Sequence, residues 1–244
     1  MAEEVTGRRF YSEIATAEYD GNGKGRLWLW RSAERFRGDL IAPTTVKVDD
    51  NGDGVFELTL VENTDYWMHP DNPTVTNKPC EALDIVTGRT TAPQVSVWPN
   101  VRRNVQIVGK FGYSEITQTS GLTGTAADSS TTTLTANATA ADIVEPGDVI
   151  ICGTEQMYVS AVVTTAITVE RGINGTTAAA QAGAAIYIRR YPEDLERAVI
   201  ADAARWWWRN SAGDYTQQGM PWQAIRGTLN EYSKGGVGVG LAVG

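Results

Sequence analysis

The chain has 244 residues, with 21 Lys and Arg against 29 Asp and Glu, and a formal net charge of −8. That balance argues against a nucleic-acid reader, which needs clustered cations to neutralise phosphate, and no apolar run is long enough to cross a bilayer. The two cysteines, Cys80 and Cys152, lie far apart and match no metal-ligand spacing, and no secretory leader is present, so the expectation is a soluble, intracellularly made protein with free thiols.

Taken in chain order, the segment from Arg26 to Tyr113 reads as strands: Leu27 to Trp30, Thr45 to Val48, Val55 to Val61, Ala82 to Val86 and Val105 to Phe111. Phe56, Leu58 and Leu60 alternate with Glu57 and Thr59, the period of two that a half-buried antiparallel strand requires. Turn chemistry separates the strands at Tyr19 to Gly23, at Asp49 to Gly54 and in the Pro-rich stretch from His69 to Pro79.

From about Gln118 to Arg190 the composition changes to Thr, Ala, Ser and Gly, which predicts a second β unit. Its strands are Asp148 to Cys152, Met157 to Val163, Ala166 to Glu170 and Ala185 to Ile188. The Asn-Gly step within Ile173 to Thr176 is expected to turn between paired strands, and Thr119 to Ala141 reads either as part of this unit or as a low-complexity linker.

The strongest helix signal comes late. Pro192 suits a first turn, Glu193, Asp194 and Glu196 place negative charge at the positive end of the dipole, and Leu195, Val199, Ala203 and Trp206 recur at helical spacing to about Asn210. A shorter helix is predicted from Pro221 to about Tyr232, with Trp222, Ile225, Leu229 and Tyr232 on one side. The remaining tail, Gly235 to Gly244, is apolar and glycine-rich and cannot form its own core.

Motifs for chemistry are few. Asp49, Asn51, Asp53 and Gly54 match the first half of an EF-hand loop, but its twelfth position is Leu60 and its flanks are strands, so the reading is an acidic hairpin turn. Asn137-Ala138-Thr139 and Asn174-Gly175-Thr176 are chance glycosylation sequons. His69 is the only histidine, and no nucleophile, zinc or phosphate-cradle signature is present. No catalytic, cofactor-binding or metal residue is assigned, and the chain is read as a non-enzyme.

Trp206, Trp207 and Trp208 are more informative. Three consecutive helical residues at about 100° each span over half the circumference, so one core cannot take all three. At least one ring is expected on a second surface, in the same subunit or a neighbour. Val237, Val239, Leu241 and Val243, alternating with glycine or alanine, could add as an extended strand to another subunit's sheet edge. The interface candidates are therefore Trp206, Trp207, Trp208, Trp222, Tyr232 and those four tail residues.

Several strings in order carry a resemblance: Thr6 to Tyr11 (Thr-Gly-Arg-Arg-Phe-Tyr), Tyr19 to Gly23 ahead of Leu27 to Leu29, Val46 to Val48, Asp65 to Trp67 before a Pro-Asn stretch, Val108 to Tyr113, and Tyr191 to Leu195 opening an Ala- and Trp-rich helix. Together they resemble the head-to-tail adaptor (head-tail connector) family of long-tailed double-stranded DNA bacteriophages. The block from Gly147 to Thr176 is similar to a small β insertion common among phage structural proteins. Family members usually begin with helices before the Gly-Arg-x-Phe element, whereas only Met1 to Val5 precede it here. The resemblance implies a structural virion subunit of the neck, made in the host cytoplasm. It would assemble as a homo-oligomeric ring, usually a dodecamer, below the portal protein. That ring would extend a channel through which double-stranded DNA passes without sequence-specific binding, and would offer a platform to the neck stopper or tail-terminator protein. No membrane partner is implied. The rival readings are another neck or tail virion protein, such as a stopper or minor tail subunit, and a carbohydrate-binding module.

The sequence thus predicts an α+β, mostly β chain: a β-rich domain over 1–117, a small inserted β domain over 118–190, a helical segment over 191–234 belonging to the first domain's core, and an extended tail over 235–244.

Overall fold

In the computed structural model, residues 6–29, 38–70, 78–87, 94–113 and 115–211 are described, together with Gly227 and Leu229, while the side chains at 202 and 205–211 are not. Among the described residues strands far outnumber helix, so the fold is mostly β with a C-terminal helix, as the sequence predicts. Two units emerge: Met1–Tyr11 with Thr16–Ser114 and Tyr191–Gly244, and Ser12–Ala15 with Glu115–Arg190.

The first unit carries two sheets. One has the order β1-β7-β3-β4, built from Glu13–Tyr19, whose first three residues are grouped with the second unit, Val105–Phe111, Leu40–Val48 and Leu58–Leu60. The other has the order β2-β6-β5, built from Arg26–Trp28, Ala82–Ile85 and Tyr66–His69. Central strand β7 alternates without interruption: Val105, Ile107, Gly109 and Phe111 are buried, and Gln106, Val108 and Lys110 are half-buried. Register places Ile107 opposite Val46 and Val105 opposite Val48, while Leu60 of β4 faces Val46 from the other side. Burying an aliphatic side chain of this size contributes about 1.5–3 kcal/mol, so these rows decide the register.

The turn from Tyr19 to Gly23 shows why glycine stands there. A Cβ on Gly21 would lie 1.7 Å from the Pro99 carbonyl oxygen, and the Gly21 N–H donates to Val101 O at 3.0 Å and to Asn104 Oδ1 at 2.8 Å. Beside it Trp98 is fully buried, its indole N–H donating to the carbonyls of Gly25 and Leu83 at 3.1 and 3.2 Å. A buried indole keeps its polar end satisfied in this way.

The second unit is a closed barrel of six strands in the order β10-β11-β12-β9-β8-β13. In chain order they are β8 (Thr117–Ala126), β9 (Thr133–Ala136), β10 (Val149–Cys152), β11 (Glu155–Val163), β12 (Ala166–Glu170) and β13 (Gln181–Arg189). Its core holds Leu122, Leu134, Ile150, Met157, Val159, Ile167, Val169, Ile186 and Ile188. Closure removes the unpaired backbone that an open sheet exposes. The segment Thr119 to Ala141 is folded here, supplying β8 and β9. The Asn174-Gly175 step does not join paired strands, contrary to expectation, because β12 and β13 are not neighbours in the barrel. It serves instead as a shelf: Ile14 N–H donates to Asn174 O at 2.9 Å, and the Asn174 amide donates to Gln156 Oε1 at 3.0 Å.

One end of the barrel is tied by a buried ion pair. Arg171 donates to both oxygens of Glu155 at 2.7 Å each and to the carbonyls of Thr131 at 2.7 Å and of Ala179. Glu155 also accepts N–H groups from Gly172 at 3.0 Å, Ala179 at 3.2 Å and the Gln181 amide at 3.1 Å. Burial pushes the Glu155 carboxyl up, but these donors outweigh it and hold it below the ordinary carboxylate value. At the same unit's chain ends, Arg190 N–H donates to Ile116 O at 3.0 Å and Thr117 pairs with Arg189.

Both cysteines are buried and free of disulfides. Burial pushes the Cys80 thiol up to about 12, and it donates to Ala82 O at 3.0 Å. No helix among the described residues is long and apolar enough to cross a membrane.

Candidate functional site: a two-faced helix and an acidic hairpin

Helix α1 spans Glu193–Ser211. Pro192 stands just before it, where a residue without an N–H loses nothing, and its carbonyl accepts the first helical bond from Glu196 at 3.0 Å. Three acidic residues fill the first turn, where the partial positive charge of the helix start favours them. Glu193 and Arg197 form an exposed pair one turn apart.

The inner face consists of Leu195 and Ala198, both buried, which pack with Phe10 and Leu229 and touch Tyr113 and Ala201. Phe10 is supplied by the Thr6 to Tyr11 string, and the structure shows what the arginine before it does. Arg8 donates to Asp39 at 2.5 Å and to Glu81 at 2.8 Å, and its guanidinium lies 5.2 Å from the centre of the Tyr113 ring. Tyr113 meets Phe10 at 5.7 Å between ring centres, and its N–H donates to Arg9 O at 2.8 Å. The sequence motif is therefore a seat for the helix.

The outer face is also apolar. Val199 is 40% exposed and Ile200 67%, with Ala203 and Ala204 exposed beside them. Sequence spacing groups Val199 and Ala203 with Leu195 on one stripe of the helix. Packing against Phe10 and Leu229 selects Leu195 and Ala198 instead, three residues apart, and turns Val199 and Ala203 outward. The backbone of Trp206, Trp207 and Trp208 continues α1, and their side chains lie outside the described residues. Trp222, Tyr232, Val237, Val239, Leu241 and Val243 also lie outside them; of the predicted second helix, Gly227 and Leu229 are described and helical.

A second cluster occupies the hairpin between paired strands β3 and β4. Asp49 is buried, with Oδ1 accepting Gly52 N–H at 2.6 Å and Oδ2 accepting Gly54 N–H at 2.8 Å. Burial raises its carboxyl, but backbone N–H groups from Gly54, Gly52, Asp53 and Asn51 outweigh that and lower it. Asn51 Oδ1 accepts Asp53 N–H at 2.8 Å, the Asn51 amide donates to Glu57 at 2.9 Å, and Asp53 accepts Val55 N–H at 2.8 Å. One oxygen each from Asp49, Asp53 and Glu57 lie within 4.8 Å of one another. Leu60, the twelfth position of the EF-hand pattern, is a buried strand residue of β4. The oxygens of Asp49 and Asp53 thus accept the turn's own N–H groups.

Compared with known proteins, the chain matches no protein-family model and has no match among curated proteins.

Proposed function

We propose that this chain is a structural virion protein, a head-to-tail adaptor that assembles as a ring between portal and tail of a long-tailed bacteriophage. The observation that carries the reading is the outer face of α1. A helix already seated on Leu195 and Ala198 still presents Val199, Ile200, Ala203 and Ala204 to solvent, in the stretch that leads into three tryptophans. Apolar side chains on both sides of one helix suit a packing partner on each side. The strings that resemble the adaptor family also have structural work, as the Arg8 seat and the Gly21 turn illustrate. A closed barrel offers no edge to an added strand, so on this reading an apolar tail reaches the open sheets of a neighbouring copy or the portal. The acidic surface suits a wall past which DNA slides.

Light scattering on the purified protein, alone and mixed with the portal of the same genome, tests the proposal. A ring-sized particle in either sample supports it. A monomer of about the chain mass of 26.4 kDa that ignores the portal counts against it. Trp207→Ala is expected to weaken ring formation more than folding. Unchanged assembly with a lowered melting temperature would assign that ring to the subunit's own core.

A further inference from the structure

Three Asn-Gly steps stand in described turns, Asn22-Gly23, Asn51-Gly52 and Asn174-Gly175, and each glycine has a positive φ, of 67°, 82° and 76°. Such a step can react with itself. The glycine nitrogen attacks the asparagine Cγ, ammonia leaves, and water reopens the resulting succinimide to aspartate or isoaspartate. The reaction needs the side chain folded back over the following peptide, a base on the nucleophilic N–H, a donor on the amide oxygen and access to water.

The surroundings of the three steps differ in these respects. Asn51 is exposed, and its Oδ1 accepts Asp53 N–H at 2.8 Å, a side-chain turn that draws Cγ back over the Gly52 peptide and polarises its carbonyl. Gly52 N–H donates to a carboxylate, Asp49 Oδ1, at 2.6 Å. Asn22 makes the same kind of turn, its Oδ1 accepting Lys24 N–H at 2.9 Å, yet Gly23 N–H donates to the neutral carbonyl of Trp98 at 2.8 Å. Asn174 directs its amide to Gln156, and a Cβ on Gly175 would lie 2.2 Å from Ile14 O, so this turn is packed against a neighbouring segment.

We propose that Asn51-Gly52 is a self-modifying site. Asp49 takes the proton from Gly52 N, the nitrogen forms a bond to Asn51 Cγ, and the Cγ–Nδ2 bond breaks with that proton leaving in ammonia. Water then opens the ring, so the net change is one water gained and one ammonia lost. Asp49 is charged at neutral pH like any carboxylate, and the backbone donors that lower it also make it a weaker base, so its contribution is its place on the Gly52 N–H, 2.6 Å away. The product removes the amide that donates to Glu57 and sets a new carboxylate beside it. In the isoaspartate form the main chain also gains a carbon within the β3–β4 hairpin.

Incubating the full-length protein at neutral pH and mapping its peptides by mass, with isoaspartate detection, compares all three steps in one sample. Asn51 is expected to convert severalfold faster than Asn22, with Asn174 slowest. Conversion of Asn51 no faster than Asn22 overturns the proposal. Asp49→Asn retains an acceptor for Gly52 but no base, and is expected to slow position 51 and leave position 22 unchanged. An unchanged or faster rate at position 51 would mean that the Asp49 contact does not promote the reaction, and would also overturn it.

Discussion

The two units solve the problem of exposed sheet edges differently. The barrel pairs each of its six strands on both sides. The open sheets of the other unit rely on side chains: at edge strand β4 the Gln94 amide donates to Thr59 O at 2.8 Å and Asp65 accepts Val61 N–H at 2.7 Å. Near β2, Asn22 donates to Arg26 O at 2.8 Å. A topology that closes on itself needs few special residues along its rim, whereas open sheets spend polar side chains on theirs. Trp28, Trp67 and Trp98 fall in the unit with open sheets, and the barrel unit's own segments, 12–15 and 115–190, contain no tryptophan. Indole emission therefore reports on that unit, and hydrogen exchange at barrel amides on the other.

The largest effect is expected from Arg171→Ala. It leaves Glu155 buried without its partner, which costs about 3–5 kcal/mol. Barrel amides should lose protection while tryptophan emission holds its midpoint; a shift of both together would show that the units unfold as one. Phe10→Ala should do the reverse, lowering the tryptophan-detected unfolding free energy by about 3 kcal/mol because a ring under α1 is lost.

Acid sharpens the same contrast by a smaller amount. Glu155 titrates lower in the folded chain than in the unfolded one, so its contribution is whole above the ordinary carboxylate value of about 4.3 and disappears as pH falls through the folded value. Barrel stability should drop on that descent, and Glu155→Gln should flatten the dependence, as urea titrations followed by hydrogen exchange would show. The smallest effect on folding is expected from Ile200→Glu. At a 67% exposed position it should change stability by no more than about 0.5 kcal/mol, yet lower the assembled mass measured by light scattering. Retained assembly would remove the outer face of α1 from the interface.

Much of this fold is legible in the sequence where apolar residues alternate strongly. Strand β7 and the Asp49 to Gly54 hairpin follow directly from pattern and turn chemistry. Strand β1 is not legible, because Glu13, Ile14, Ala15 and Thr16 show no buried alternation and only Ala17 and Tyr19 are inside. Strand β13 starts at Gln181, ahead of the apolar run, since its first residues are alanine and glycine with little hydrophobic signal. The site divides in the same way. Periodicity finds α1 but not which of its apolar stripes is inward, because both are apolar and the choice belongs to Phe10 and Leu229. The string around Arg8 stands out in the sequence, but its acidic partners lie 31 and 73 residues further along and share no local pattern with it.

The meeting of the barrel's two chain ends, where Arg190 N–H reaches Ile116 O, has a practical side. A segment that leaves and returns at nearly one point is a socket, and apart from its ends the barrel holds Ser12 to Ala15 through Asn174 and Gln156. A fluorescent protein, an affinity tag or a short glycine linker could take the place of residues 117–189. The exchanged chain would then carry a label at a known point of the sequence, fixed at both ends.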